Sequence, residues 1–549
     1  MKSSESTVIP SGYRPPLGPL DRLGAHVRWT AAPLNPGFPW LGAVLSGVLL
    51  AASYPPLEWR ELAWLAFVPL LLAIRQASPR RALQLGCVAG AVFWLLNIWW
   101  LTRVTVAGWI ALSLYCALYT GLFAVSASWL MRQWDVRRWY TNLALMLLLP
   151  LAWAGLEYMR STLFTGFAWN PLGGSQYDRI SLIQVAAWGG VYLVSALIMM
   201  INTAIALTVF RYIQMRGHGG RQPHPELMFG FLLLALAFSY GMRVVRDGQP
   251  GATPLRVSLI QPNIPQYEKW TKDFVDTIYD RLYTLTRMAQ QAGEPDLIIW
   301  PETAVPDFIR TSRRSHDLVA ELTAMQTPIL VGSMDIARDE EGPPRYFNSA
   351  MLFDNGGELI KVYDKQHLVM FGEYVPLEGI LPFIRAMTPI QASFDAGRES
   401  TVFRLETPDI GFSVLICFED TVARLSRRAV REGARMLVNQ TNDAWFDPSS
   451  ASWQHMTHSV FRAVENRVPV VRAANTGISC SIDMFGRVVE EPIGSMVHGF
   501  KTTRIDVAPG DMTYTFYTRY GDLFGWAGMS VAWVLLAGTL YEWRRERLK

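Results

Sequence analysis

The chain has few charged residues for its length. Of its 549 residues 17% are charged and 50% are hydrophobic, whereas a soluble globular chain usually carries about a quarter charged residues. The shortfall is uneven, because long apolar runs fill residues 38–245 while residues 254–508 have the composition of an ordinary soluble domain. We therefore expect more than one domain, with one part of the chain in a membrane.

The sequence also lacks a strong charge of one sign, paired cysteines and a signal peptide. A net charge of +4 without a long basic stripe gives no reason to expect a nucleic-acid partner. The cysteines form no CxxC pair, so neither a zinc site nor a disulfide framework is indicated, and we expect no metal and no cofactor. Residues 1–37 are polar and rich in proline and glycine, and we interpret them as a cytoplasmic leader. The four cysteines are Cys87, Cys116, Cys417 and Cys480.

Apolar runs predict eight membrane-spanning helices, each of which needs roughly 20 residues to cross the hydrocarbon core. Seven of them precede residue 250 and one follows the polar region. The predicted spans are roughly 38–54, 60–75, 82–101, 106–131, 142–160, 180–211, 225–245 and 522–543.

Positive charge is divided unequally among the loops between these spans. The loops after the second, fourth and sixth spans contain nine arginines, whereas the intervening loops contain four. Because cytoplasmic loops carry the excess of Lys and Arg, both termini are predicted to be cytoplasmic. The polar domain would then lie outside the cytoplasm, which is the periplasm in a Gram-negative bacterium. The predicted divisions are a leader (1–37), a bundle of seven helices (38–245), an outer domain (246–521) and a last helix with a basic tail (522–549).

The outer domain shows the alternation of strands and helices that is typical of an α/β fold. Short apolar runs predict buried strands, and helices are predicted between them, for example at Asp273–Gln291 and Thr421–Glu432. The predicted strands are Leu255–Ile260, Asp296–Trp300, Ile329–Met334, Phe412–Ile416 and Met436–Val438.

Three strand ends carry residues that are capable of chemistry. Pro301 stops one strand and is followed by Glu302, a carboxylate among apolar neighbours that is suited to proton transfer. Lys365 follows a second strand and could act as a fixed cation for an oxyanion, with Glu373 holding it through a charge-assisted hydrogen bond. Cys417 ends a third strand before a helix, whose N-terminus would lower the pKa of the thiol while the two following acids oppose that effect.

Each of these residues also has an ordinary interpretation when taken singly. Glu302 would be a surface carboxylate, Lys365 a solvated loop lysine and Cys417 a buried structural cysteine. Together, in this order and in an α/β domain, they resemble the Glu–Lys–Cys triad of the nitrilase superfamily. Further matching segments are Gln261-Pro262-Asn263-Ile264-Pro265-Gln266, Lys269-Trp270 and Asn442-Asp443-Ala444-Trp445-Phe446.

With seven apolar spans before this domain and one after it, the chain resembles bacterial apolipoprotein N-acyltransferases over about residues 38–545. The resemblance implies an αββα sandwich on a membrane bundle, in the bacterial inner membrane with the catalytic domain in the periplasm. The expected partners are a phospholipid as acyl donor and a diacylated apolipoprotein as acceptor, and we expect a monomer.

The resemblance also implies a two-step mechanism through one acyl site. Cys417 attacks the sn-1 ester of the phospholipid while Glu302 acts as general base, and Lys365 with the Phe418 N–H stabilises the oxyanion. The α-amine of an N-terminal diacylglyceryl-cysteine then attacks the thioester, which gives a triacylated lipoprotein.

Other residues take supporting positions by the same resemblance. Glu373, Phe418 and Glu419 would surround the oxyanion site, and Trp270 would contact the lipid. Phe418 replaces the tyrosine that is usual in the family, which removes a hydroxyl but leaves the ring and the backbone N–H.

Two apolar segments could keep water away from a thioester. One is Leu377–Ile390, for which a packed helix is an equal alternative, and the other is the loop Phe164–Gly174.

Three further features have ordinary explanations beside functional ones. His455 and His458 are spaced as zinc ligands can be, but no third ligand is evident, so helix packing is expected. Gly86 and Gly90 form a GxxxG pair that could let two helices approach closely, although such pairs also arise by chance. Glu157, an acid near the outer end of the fifth span, could be functional or simply hydrated.

Two other functions fit part of the sequence. A membrane-tethered amidase or nitrilase would use water as the second nucleophile, but one span would suffice for a tether. A transporter or assembly factor with an inactive outer domain is the other alternative, and the presence of all three triad residue types argues against it.

Overall fold

The computed structural model describes residues 37–135, 138–215, 224–266, 268, 269, 271, 274–338, 343–376 and 393–547. Three of the predictions above fall on other residues. The leader (residues 1–36 of it), Trp270 and the segment Leu377–Ile390 lie outside the described residues.

Apolar helices form the first half of the described chain and return at its end. Among the described residues, five helices are long and apolar enough to cross a membrane. They begin at Val106, Trp139, Ala186, Pro225 and Leu523. The bundle helices are α1 (Phe38–Ala52), α2 (Val68–Ile74), α3 (Pro79–Asn97), α4 (Val106–Gln133), α5 (Trp139–Thr162), α6 (Ile180–Ile183), α7 (Ala186–Met215), α8 (Pro225–Asp247) and α14 (Leu523–Arg547).

The predicted second span is divided in the structure. It consists of a 3-10 turn at Arg60–Trp64 followed by the seven-residue α2, and seven helical residues rise only about 10 Å. The Phe67 and Leu70 N–H groups at the start of α2 donate to side chains of neighbouring helices, Asn202 and Ser46. Tertiary contacts therefore stabilise this short helix, and the count of eight spans stays a prediction.

Glycines allow two pairs of bundle helices to touch. A Cβ on Gly86 of α3 would lie 2.5 Å from the Ala124 Cβ of α4, and one on Gly90 would lie 2.8 Å from the α4 backbone. A Cβ on Gly155 of α5 would lie 2.0 Å from the Gly528 carbonyl carbon of α14. Real side chains do not approach so closely, so the predicted close approach at the GxxxG pair is confirmed.

Two sheets form the α/β domain, and all five predicted strands are present. The first sheet has the order β11-β1-β2-β3-β4-β5 and the second the order β10-β9-β8-β7-β6. The strands are β1 (Thr253–Gln261), β2 (Leu297–Ile299), β3 (Ile329–Ala337), β4 (Arg345–Phe353), β5 (Leu359–Asp364), β6 (Phe403–Leu405), β7 (Ile410–Ile416), β8 (Met436–Thr441), β9 (Val470–Ala474), β10 (Cys480–Ile482) and β11 (Gly499–Val507). The helices of this domain are α9 (Val275–Gly293), α10 (Arg313–Thr323), α11 (Ala423–Arg431), α12 (Ala451–Asn466) and α13 (Phe516–Tyr520).

The two sheets face each other across a shared apolar core. Leu259 and Leu297 of the first sheet pack with Val414 and Val438 of the second. Helices α9 and α10 cover the outer face of the first sheet. Helices α11 and α12 cover the outer face of the second sheet and share their own core with the bundle. The layer order is therefore αββα, as expected, with the bundle against the second helical layer.

Candidate active site

The candidate site lies where strands of both sheets end. Strands β1 to β3 are parallel, as are β7 to β9, so each group ends at one edge of its sheet. Glu302 follows β2, Lys365 directly follows β5 and Cys417 directly follows β7. Gly332 of β3 lies against the chain before Glu302, because a Cβ there would be 2.1 Å from the Pro301 carbonyl oxygen.

A buried cation lies between two carboxylates at this edge. Lys365 Nζ is 2.8 Å from Glu373 Oε1 and 3.7 Å from Glu302 Oε1. Asn348 Nδ2 donates to both acids, at 2.7 Å to Glu302 and 3.2 Å to Glu373, and the Val369 N–H donates to the second oxygen of Glu373. Burial alone would lower the pKa of Lys365, but Glu373 and Glu302 outweigh it and raise that pKa. Lys365 therefore remains an ammonium.

Cys417 has a left-handed backbone, with φ +53°, which few residues other than glycine adopt. Burial and the charge of Glu302 raise the pKa of its thiol, and Lys365 opposes them. The expected lowering by a helix N-terminus is wrong, because Cys417–Thr421 is a five-residue 3-10 turn rather than the start of α11. The resting thiol is therefore protonated and needs a base before it can attack.

Glu419 joins the segment after β5 to the end of β7. Its Oε1 accepts hydrogen bonds from the Gln366 and His367 N–H groups at 2.7 and 3.0 Å, and its Oε2 accepts from the Ile416 N–H at 2.8 Å. The Tyr363 hydroxyl donates to the same carboxylate. A carboxylate only accepts hydrogen bonds and repels an oxyanion, so Glu419 is not an oxyanion ligand. Its hydrogen bonds instead tie the segment after β5, which follows Lys365, to the end of the strand before Cys417.

The Phe418 ring lies in an aromatic stack that includes the bundle. Its centroid is 6.2 Å from that of Trp169, at 4° between the planes, and 6.4 Å from that of Phe167. His367 stacks on it from the catalytic domain at 6.1 Å. Arg160 holds the bundle loop in place, since its Nη1 donates to the carbonyls of Phe167 and Trp169 at 2.6 and 2.8 Å. The Phe418 ring is therefore in contact with aromatic rings of both the bundle and the catalytic domain.

Two of the weaker sequence features have structural explanations. Glu157 is buried and accepts the Leu172 N–H at 2.6 Å, so it anchors the same loop and is not a hydrated acid. His458 packs against the Trp169 ring, and both nitrogens of His455 face the carboxylates of Asp443 and Asp420. Within the described ranges, no group of three or more His, Cys, Asp or Glu side chains could hold a metal ion.

Three residues of this region were not identified from the sequence. Asn348 bridges Glu302 and Glu373, and its position as a polar residue in the apolar β4 is a signal that could have identified it. Gly332 makes room for the chain before Glu302. Gln454 of α12 accepts from the indole nitrogens of two bundle tryptophans, but it looks like any helical glutamine in the sequence.

Comparisons with known proteins match both halves of the chain. Residues 46–204 match the family described as the N-terminal domain of apolipoprotein N-acyltransferase, and residues 256–508 match the carbon-nitrogen hydrolase family. The apolipoprotein N-acyltransferase of Geobacter metallireducens is 40% identical over 91% of this chain and 94% of its own length. That of Gloeobacter violaceus is 31% identical over 92% of this chain and 95% of its own. A solved nitrilase-superfamily structure from Saccharomyces cerevisiae aligns at 18% identity and a TM-score of 0.35, over 46% of this chain and 90% of that one.

Proposed function

The chain belongs to the apolipoprotein N-acyltransferase family, and on that premise we propose that it transfers the sn-1 acyl chain of a phospholipid to the N-terminal diacylglyceryl-cysteine of an apolipoprotein. The observation that carries this proposal is the buried Lys365 between Glu302 and Glu373. The charges of Glu302 and Lys365 both act on the Cys417 thiol. A protonated nucleophile beside a carboxylate and a permanent cation suits acyl transfer through a thioester.

In the first step Glu302 takes the proton of Cys417 as the sulfur attacks the sn-1 ester carbon. Lys365 and the Phe418 N–H stabilise the negative charge that develops on the carbonyl oxygen of the ester. The bond to the glycerol oxygen then breaks, this oxygen receives the proton from Glu302, and a lysophospholipid leaves. Cys417 remains as an acyl thioester.

In the second step the α-amine of the acceptor attacks the thioester carbon and gives a proton to Glu302. The Cys417 sulfur leaves and recovers that proton, and the product carries a third acyl chain in amide linkage. A single acyl site requires the lysophospholipid to leave before the amine reacts, which predicts ping-pong kinetics.

The apolar bundle supports a lipid substrate over a soluble one. Both substrates would be anchored in the bilayer by their acyl chains, and the bundle packs directly against the helical layer of the catalytic domain. We propose that the protein works as a monomer in the bacterial inner membrane. We also propose that this domain lies in the periplasm, and the distribution of arginines among the loops supports that orientation.

The proposal is tested by supplying purified protein with a labelled phospholipid and a diacylated lipopeptide. We expect triacylated peptide and lysophospholipid from the wild type, none from Cys417→Ala, and normal amounts from Cys480→Ala, which removes a buried cysteine of β10. Free fatty acid with unchanged peptide would instead support the amidase-like hydrolase. Wild-type product from Cys417→Ala would refute the thioester.

A further inference from the structure

Side chains from two other elements hold the carbonyl group of Cys417. Its oxygen accepts a hydrogen bond from Asn439 Nδ2 of β8 at 3.0 Å and lies 3.3 Å from His455 Nε2 of α12. The same Asn439 nitrogen donates to the Leu415 carbonyl at 3.0 Å. A left-handed backbone at a residue other than glycine persists where surrounding contacts fix it, and these contacts meet that requirement.

A buried charge cluster lies behind these two donors. Arg472 Nη1 donates to Asn439 Oδ1 at 2.7 Å and to Asp420 Oδ2 at 3.2 Å, and its Nη2 donates to Asp443 Oδ2 at 3.0 Å. The His455 ring spans the same aspartates, with Nδ1 2.9 Å from Asp443 Oδ1 and Nε2 3.0 Å from Asp420 Oδ1. None of the five side chains is more than 3% exposed.

The charges of this cluster balance when His455 is protonated. Both ring nitrogens face carboxylate oxygens, which only accept, so both nitrogens donate. Burial and the charge of Arg472 would lower the pKa of His455, but Asp420 and Asp443 outweigh them and raise it to about 9. Arg472 Nη2 also lies 2.8 Å from His455 Nδ1, and the Asp443 carboxylate that both contact offsets the repulsion between them.

Such a cluster resists displacement, because moving one member leaves another as an unpaired buried charge. It is anchored to the second sheet, to the helix that covers that sheet and to two turns. Asn439 lies on β8, Arg472 on β9 and His455 on α12, and the two aspartates lie in the 3-10 turns that follow β7 and β8. A nucleophile benefits from being held rigidly, because a small displacement of the reacting atoms strongly lowers the rate of the chemical step.

We propose that Asn439 and His455, fixed by Arg472 and the two aspartates, are positioning residues that hold Cys417 for attack. They keep its thiol beside Glu302 and Lys365 and keep the following N–H aimed at the oxyanion. This inference rests on the proposed function, since it concerns the same acyl-transfer site.

The test compares variants that change the donors to the Cys417 carbonyl. For Asn439→Ala we expect the rate constant of thioester formation to fall about 100-fold, with KM for phospholipid within a factor of about three. His455→Gln should recover part of the rate that His455→Ala loses, because a glutamine amide can reach the place of Nε2. The matched control is Asn466→Ala. It removes a buried amide on α12 that bonds to the Arg462 carbonyl and to Thr518, away from the Cys417 carbonyl.

The readouts separate positioning from simple destabilisation. A folded Asn439→Ala that forms the thioester at the wild-type rate overturns the inference, as does an equal loss of rate in Asn466→Ala. Should Asn439→Ala not fold, equal rates for His455→Gln and His455→Ala overturn it.

Alkylation of Cys417 by iodoacetamide provides a measurement that does not need acyl transfer. We expect its rate at pH 8 to differ several-fold between the wild type and Asn439→Ala, and an unchanged rate contradicts the inference. If the wild type forms no acyl adduct, the proposed function fails while this comparison still decides the positioning role.

Discussion

At the residue scale, Lys365 stays protonated and therefore cannot accept the proton of the Cys417 thiol. Its ammonium contacts two carboxylates, which raise its pKa above the ordinary value, so it stays charged through the reaction. The thiol of Cys417 has a raised pKa and begins protonated. We therefore propose that the proton passes through Glu302, whose Oε1 is also held by the Asn348 amide. Glu373 pairs with this ammonium at 2.8 Å, and we propose that its role is to keep the cation in place.

We predict that Gly332→Ala lowers the rate of thioester formation about 100-fold, because a new Cβ 2.1 Å from the Pro301 carbonyl oxygen must displace the chain that carries Glu302. Single-turnover kinetics with labelled phospholipid measure this rate. The control is Gly499→Ala in β11, where an added Cβ meets no atom within 4 Å. Equal rates of thioester formation in the two variants would mean that the reaction does not depend on the present position of Glu302.

His455 and Asp420 predict how stability depends on pH. Because the pKa of His455 is raised from about 6.5 to about 9, its contribution, roughly 3 kcal/mol, is complete below pH 6.5 and is lost as pH rises through 9. The pKa of Asp420 is lowered to about 2, since His455 and Arg472 outweigh the effect of burial, so its contribution is present above about pH 4 and is lost below pH 2. Asp443 and His458 are the other titratable groups that face this pair.

We therefore expect the unfolding temperature of the detergent-solubilised protein to fall between pH 6.5 and 9.5, and His455→Gln to remove most of that decrease. His458→Gln is the control, because burial lowers the pKa of His458 to about 3 and it stays neutral over this range. The same decrease in His455→Gln and in the wild type would show that His455 does not titrate as described.

Among the elements, the loop between α5 and α6 connects the bundle to the nucleophile. Arg160 and Glu157 of α5 hold its backbone, and its Trp169 stacks on Phe418 next to Cys417. This arrangement places aromatic rings beside the proposed thioester, where they would exclude water.

We predict that Trp169→Ala increases the share of acyl groups lost to water. The measured quantity is the ratio of free fatty acid to triacylated peptide, which should rise severalfold while the lysophospholipid yield changes less. Trp188→Ala, which removes a half-exposed tryptophan of α7, is the control and should leave the ratio unchanged. A wild-type ratio in Trp169→Ala would mean that this ring does not shield the thioester.

Buried strands and long apolar helices could be predicted from the sequence because each is a run of mostly apolar residues, short for a strand and long for a membrane span. Strands β2, β7 and β8 are almost entirely buried, and β1 and β3 are buried over most of their length, so their apolar runs predict them. The break before α2 could not be predicted, because it depends on a hydrogen bond to Asn202, 135 residues away. Pairings within the charge cluster are equally hidden, since the sequence shows Asp420, Asn439 and Arg472 as separate polar residues in buried segments.

At the scale of the whole molecule, helix α12 of the catalytic domain makes direct contacts with the membrane bundle. Gln454 accepts from Trp100 and Trp169 and donates to the Pro55 and Asn97 carbonyls, so one buried amide contacts four places in the bundle. The described residues from Pro39 onward form one compact unit. A catalytic domain on a simple tether would not need such contacts, which favours a bundle that takes part in substrate handling.

The proposed orientation predicts which surface a membrane-impermeant maleimide can reach. In a Cys417→Ala background, we expect Gly494→Cys in the catalytic domain, where the added Cβ meets open space, to be labelled in intact spheroplasts. Arg138→Cys, at an exposed position before α5, should be labelled only after the membrane is permeabilised. The reverse pattern would place the catalytic domain in the cytoplasm.

The acyl thioester on Cys417 is the claim on which the whole account depends, and intact-protein mass spectrometry after incubation with phospholipid tests it most directly. We predict a mass increase of one acyl group that maps to Cys417 and is absent from Lys365→Ala. A diacylated lipopeptide should discharge it quickly and water only slowly. No adduct on Cys417, or an adduct that water removes as fast as the lipopeptide does, would contradict the account.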